Sequence, residues 1–209
     1  MIELRGITKK YNNKFIFNNY SVKIPTGKIV AILGPSGSGK STLLNLISGI
    51  ELPDSGDILY DGVEFPKTLE KLSEFRKLHI GMVPQSFVLL NNETVRYNIM
   101  LPFQFMKKDR VKKVDAEMLT KKLDIYELID SRVQNLSMGE RQRVALIRAV
   151  ITSPDIILAD EPTSALDVEN QNKVRDLFLQ ENLRGTSIIF TTHNTTWTKF
   201  ADVVIKLNA

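Results

Sequence analysis

Residues 28–42, "KIVAILGPSGSGKST", constrain the fold more than any other stretch of the chain. "KIVAIL" (28–33) is a short continuous apolar run that breaks off at a glycine, which reads as a strand buried on both faces. "GPSGSGKST" (34–42) fits G-x-x-x-x-G-K-[ST], and the pattern predicts a helix from Lys40 to about Ser48, capped by Gly49. Glycines in such a loop let backbone N–H groups converge on phosphate oxygens, and the helix N-terminus adds the positive end of its dipole. Gly34, Pro35, Ser36, Gly37, Ser38, Gly39, Lys40, Ser41 and Thr42 are therefore expected to cradle a nucleoside triphosphate. Lys40 would reach the β- and γ-phosphates, and Ser41 would ligate Mg²⁺.

A second apolar run ends in two acids: "DIILADE" at 155–161. The strand end places Asp160 beside the metal, in the Mg²⁺ shell. Glu161 points elsewhere and can polarise the attacking water. An Asp-Glu pair alone would be a solvated strand end; behind an apolar run and downstream of a phosphate loop it reads as catalytic.

The remaining chain fits an α/β fold. "IELRGI" and "FIFNNYSVKI" alternate apolar and polar residues, as antiparallel strands do. "GDILYDG", "HIGMV" (79–83), "TSIIFTT" and "DVVIKL" read as further strands, and a helix is expected from about Asp167 to Leu183. Strands alternating with helices imply a parallel sheet flanked by helices. From about Gln85 to Ser153 the texture turns helical; "DRVKKVDAEMLTKKL" (109–123) puts Val111, Val114, Met118 and Leu119 near one face. The expected organisation is one domain over 1–209. Its nucleotide-binding core with the antiparallel part would span 1–85 and 154–209, and an inserted helical lobe 86–153.

Composition narrows the class of function. The net charge of +4 comes without a basic cluster interleaved with aromatics, so no nucleic-acid partner is expected. There is no cysteine, hence no disulfide framework or thiolate metal site. The opening "MIELRGITKKY" lacks the apolar core of a signal peptide, and no run approaches the length of a membrane span. A cytoplasmic protein is expected, reaching a membrane only through a partner.

Taken in order, the motifs resemble those of the ATP-binding-cassette ATPases, the nucleotide-binding subunits of ABC transporters. They are an aromatic (Tyr11) before the first strands, "GPSGSGKST", Gln85 after a strand, "LSMGERQR" (136–143), "ILADEPTSALD" and "TTH" ending at His193. The resemblance implies that Tyr11 stacks on adenine. It implies that Gln85 reaches the Mg²⁺ and the attacking water, and that His193 bonds the γ-phosphate and orients Glu161. Asp167 would sit at a subunit boundary, though Asp before a helix is also an ordinary N-cap. His79 has no such context and is expected to be structural.

"LSMGERQR" opens with Ser137 and, three residues on, Glu140: a capping box starting a helix that carries Val144, Ile147 and Ile151. In the family this segment lies too far from its own phosphate loop to use it. Two-fold symmetry brings it to the partner's loop instead. Ser137, Met138, Gly139 and Glu140 would then bind the ATP of the partner subunit. Two nucleotides would close a homodimer, or a pair with a related ATPase subunit. The family's usual "LSGGQ" is altered here by Met138 and Glu140, and Met138 is expected to weaken closure. Asn194 replaces the Asp that usually follows His193; we assign it no effect.

The stretch "NIMLP" and the short chain resemble the lipoprotein-release, macrolide-efflux and cell-division branch. The implied function is ATP binding and hydrolysis, with ATP and Mg²⁺, powering an integral membrane permease docked on residues 86–100 (Phe87, Leu89 and Leu90 among them). The implied location is peripheral, on the inner face of the cell membrane. A mechanotransmission ATPase that moves no solute and a soluble non-transport ABC ATPase remain as alternatives.

Overall fold

The computed structural model describes residues 1–106 and 116–208. Two sheets organise them. The first is antiparallel, in the order β2-β1-β4-β5, from β1 (Ile2–Tyr11), β2 (Lys14–Ile24), β4 (Ser55–Tyr60) and β5 (Val63–Glu64). The second is parallel, in the order β6-β7-β8-β3-β9. Its strands are β3 (Ile29–Leu33), β6 (Ile80–Val83), β7 (Ile156–Asp160), β8 (Ser187–Thr192) and β9 (Val203–Lys206). Both the alternating N-terminal strands and the buried parallel ones follow the sequence pattern.

The parallel strands are apolar throughout because the sheet is covered on both faces. Ile29 and Ala31 of β3, Ile157 and Ala159 of β7, and Ile188 and Phe190 of β8 belong to one buried cluster. That cluster also takes in α5 (Met138–Val150) and α6 (Val168–Leu183). The intervening residues Val30, Ile32, Ile156, Leu158 and Ile189 join a second cluster with α1 (Lys40–Ser48) and the antiparallel sheet. Each fully buried side chain of this size stabilises the fold by roughly 1.5–3 kcal/mol.

Some local expectations need correction. Tyr11 does not precede the first strands; it is the last residue of β1, at a two-residue turn in which Asn12 and Asn13 both have positive φ (47° and 65°). Asparagine tolerates that conformation, and the turn matches the twist of the hairpin. An unforeseen helix, α2 (Leu69–His79), precedes β6; only Leu72 of it is buried, so its sequence carries little periodicity. His79 ends α2 rather than starting the strand, with Nδ1 2.5 Å from Asp155 Oδ2 and its ring against Phe75. In the expected helical stretch α3 covers Val95–Met100; within 109–123, Val111 and Val114 lie outside the described residues, and α4 covers Ala116–Lys122. Leu119 there is buried but Met118 is exposed, so the two do not share an apolar face.

Candidate active site

The phosphate loop runs from the end of β3 to the start of α1. Its geometry requires glycine at three points. Gly37 and Gly39 have φ of 80° and 91°, and a Cβ on Gly34 would lie 2.6 Å from Ser38 Oγ and 2.7 Å from Leu207 O. Gly39 gives α1 no side-chain cap, so its first-turn N–H groups have no side chain to bond, as an anion site requires. Ser38 Oγ is buried without a hydrogen-bond partner among the described residues, a polar atom suited to a phosphate oxygen. Lys40 is buried, and its Nζ donates to Gly34 O (2.9 Å) and Pro35 O (3.0 Å).

Across the sheet, β7 delivers the two acids. Asp160 is buried and its Oδ1 accepts from Thr191 Oγ1 at 2.6 Å. Thr191 Oγ1 in turn accepts the Glu161 backbone N–H at 2.9 Å. Glu161 has φ 50°, a left-handed conformation costing a non-glycine residue roughly 1–2 kcal/mol. The reversal separates the two carboxylates. Glu161 Oε2 lies 2.8 Å from His193 Nδ1, and Oε1 lies 3.8 Å from Lys40 Nζ. His193 follows β8 and is itself exposed. Lys40, Glu161 and His193, scattered over the sequence, therefore meet at one point. Such an arrangement can bind a polyphosphate, take a proton from water at Glu161 and steady the carboxylate through the imidazole.

Tyr11 stands apart from this triplet, partly exposed at its hairpin, with its hydroxyl donating to Glu51 Oε2. Glu51 Oε1 also accepts from Asn45 Nδ2 of α1 at 2.9 Å, linking the ring to the helix that begins in the phosphate loop. Gln85 is exposed in the turn after β6, and Ser41 is exposed on the first turn of α1.

Ser137 caps α5 as its sequence demands. Its Oγ accepts from Glu140 N at 3.3 Å, and Glu140 Oε2 accepts from Ser137 N at 2.7 Å. Bonds from the Ser137 backbone and hydroxyl hold the Glu140 carboxyl below its ordinary pKa. Met138 points into solvent. Gly139 lies against the 161–167 segment: a Cβ there would meet Ala165 O at 3.1 Å. No hydrogen bond or ion pair among the described residues joins Ser137–Glu140 to residues 34–42. Asp167 caps α6 by accepting from Asn170 N at 2.8 Å, and that bond lowers its pKa.

In the segment after Gln85, Phe87 is not available to a partner: it is 6% exposed, in the core. Leu89 packs against the same cluster, while Val88, Leu90, Tyr97 and Met100 are exposed. Arg148 donates to the carbonyls of both Phe87 and Val88 (2.6 Å each), pinning two residues with positive φ.

Three contributors escaped the sequence reading: Thr191, Glu51 and Gln142. Thr191 had a signal, a polar residue inside an apolar strand. Gln142 had one too, falling on the stripe Gly139–Gln142–Leu146–Ala149 that α5 turns inward.

The family model described as ABC transporter matches residues 17–164. The ABC transporter ATP-binding protein YxdL of Bacillus subtilis (strain 168) is 44% identical over 173 residues, covering 80% of this chain and 67% of that protein. The lipoprotein-releasing system ATP-binding protein LolD of Bacteroides fragilis (strain YCH46) is 36% identical over 210 residues, covering 99% and 97%. Among solved structures, the dimeric structure of MJ0796, a bacterial ABC transporter cassette, superposes with a TM-score of 0.91 at 32% identity, covering 100% of this chain and 94% of that one. A post-hydrolysis dimer of the same cassette, bound to ADP and Pi, superposes with a TM-score of 0.90 at 31% identity, covering 99% and 94%.

Proposed function

The chain belongs to the ABC transporter family and is an ATPase, and from this we propose that it is the subunit that powers a separate integral membrane permease through ATP-driven dimerisation. The observation that carries the proposal is Glu161 bridging Lys40 and His193 beside a phosphate loop.

In this reading the backbone of residues 34–42 holds the triphosphate, with Lys40 on its outer phosphates. Glu161 takes the proton of the attacking water, and His193 orients the carboxylate and contacts the γ-phosphate. Ser41, Gln85 and Asp160 would hold Mg²⁺, which when bound neutralises charge on the phosphate oxygens. A cation of this kind keeps waters and phosphate ligands, so these few oxygen donors suit it; the described residues hold no cluster of three or more His, Cys, Asp or Glu.

Ser137, Met138, Gly139 and Glu140 would act on the nucleotide of the partner subunit, and Asp167 would lie at the boundary. Dimeric cassettes among the similar structures support that arrangement. Residues 86–153 would be the helical lobe carrying this segment and the permease surface, with 1–85 and 154–209 as the core. On 86–100 the exposed Val88, Leu90, Tyr97 and Met100, rather than Phe87, would meet the permease. No described helix is long and apolar enough to cross a membrane. We place the protein on the inner face of the cell membrane, held there by the permease.

The test is capture of partners from native membranes with the Glu161→Gln protein and ATP. An integral membrane protein that co-isolates only with nucleotide is expected; recovery of soluble partners alone overturns the proposal.

Tyr11 is proposed as the adenine platform. Tyr11→Ala should weaken ATP binding by about 5- to 100-fold, the range of base–aromatic stacking, while leaving inorganic triphosphate affinity unchanged. Calorimetry with both ligands decides: equal losses, or none, would remove the assignment.

A further inference from the structure

We propose that Gln142 is a positioning residue. It couples the segment Ser137–Glu140, and hence the partner's nucleotide, to the backbone of the general base acting on the chain's own nucleotide. The inference rests on the role of Glu161 given above.

Gln142 is 0% exposed on the second turn of α5. Its Nε2 donates to Glu161 O at 3.0 Å, and its Oε1 accepts from Ala165 N at 3.1 Å. Both ends of the amide are in use, so reversing it would set N–H against N–H and oxygen against oxygen. Glu161 is thereby held on both sides of its left-handed φ of 50°: Thr191 takes its N–H and Gln142 donates to its carbonyl. One turn earlier, Gly139 lies close against Ala165 O, leaving no room for the helix start and the 161–167 segment to slide independently. The capping box makes Ser137–Glu140 one rigid piece with α5. A displacement of that piece must move Gln142, and with it the peptide that aims the Glu161 carboxylate.

Two substitutions separate this from a plain core role. Gln142→Met keeps the length and removes both hydrogen bonds. The expected result is kcat lowered by about 10²-fold, the cost of misplacing a reacting group, with the Kd for ATP unchanged. Gln142→Glu is ionised at high pH and cannot donate to Glu161 O. Once protonated it offers one O–H donor and one C=O acceptor in place of the amide N–H and C=O, and burial raises the pH at which that happens. Its kcat relative to wild type should rise as pH falls from about 8 to about 6, while the Gln142→Met ratio stays low and flat.

Hydrolysis by Gln142→Met at the wild-type rate, or a pH-independent ratio for Gln142→Glu, overturns the proposal. Loss of ATP binding together with turnover in both variants also overturns it, by making Gln142 an ordinary core residue. Glu161→Gln serves as the control. Wild-type turnover there would remove the underlying reading of Glu161, whereas turnover lost there but kept in Gln142→Met removes the coupling alone.

Discussion

Glu161→Gln should slow steady-state ATP hydrolysis by about 10²- to 10⁴-fold and leave the protein able to bind ATP. The amide keeps the size of the side chain and a hydrogen bond to His193, but it has no basic oxygen to receive a proton from water. It also removes the negative charge 3.8 Å from Lys40 Nζ, which loosens nothing in the phosphate cradle because Lys40 is separately bonded to Gly34 O and Pro35 O. With binding intact and the γ-phosphate never released, the ATP-bound dimer should accumulate. Light scattering with ATP should register twice the monomer mass for the variant and a mostly monomeric wild type at steady state. Phosphate release at the wild-type rate would remove Glu161 from the chemistry.

Gly81→Ala should strongly destabilise the fold. Gly81 of β6 pairs with Ile157 of β7, and α5 crosses directly over it. A Cβ there would lie 2.0 Å from Ala149 O and 2.9 Å from both Ala149 C and Pro154 Cγ. The first two are backbone atoms of a helix packed against the sheet, so no rotamer change relieves the clash. The helix itself must lift, at a cost of about 3 kcal/mol. For a domain of this size that is a fall in melting temperature of about 6–12 °C. Gly185→Ala is the comparison: its φ of 97° is unfavourable for alanine, but nothing lies within 4 Å of the new methyl group. A calorimetric melt showing Gly81→Ala no less stable than Gly185→Ala would refute the packing account.

What the sequence made legible is what is local in the chain. The phosphate loop is contiguous, the capping box spans three residues, and the acids of β7 follow directly on their apolar run, so neighbouring letters specify each. The pairing of Glu161 with His193 came only through a family resemblance, since thirty-two residues separate them. The partners of Glu51 and Thr191 stayed hidden for the same reason: they are forty and thirty residues away. Gln142 lies on the stripe that α5 turns inward, but nothing local names its partner Glu161, nineteen residues away. α2 was missed for the opposite cause, because a helix lying on the surface with one buried residue has little pattern to show. Phe87, read as a contact for a partner, is held inward by a backbone turn that no local propensity announces.

The place of β3 in its sheet also bears on how the protein is made. β3 carries the phosphate loop, yet its two neighbours are β8 and β9, with Val30 opposite both Ile189 and Val203. During synthesis the loop and α1 emerge first, and the two edges of their strand stay unpaired until β8 (Ser187–Thr192) and then β9 (Val203–Lys206) have left the ribosome. An apolar strand with two open edges is what chaperones shield and what nascent chains aggregate through. Nucleotide held by the loop therefore acts late, as a ligand that locks the sheet once β8 and β9 have paired with β3.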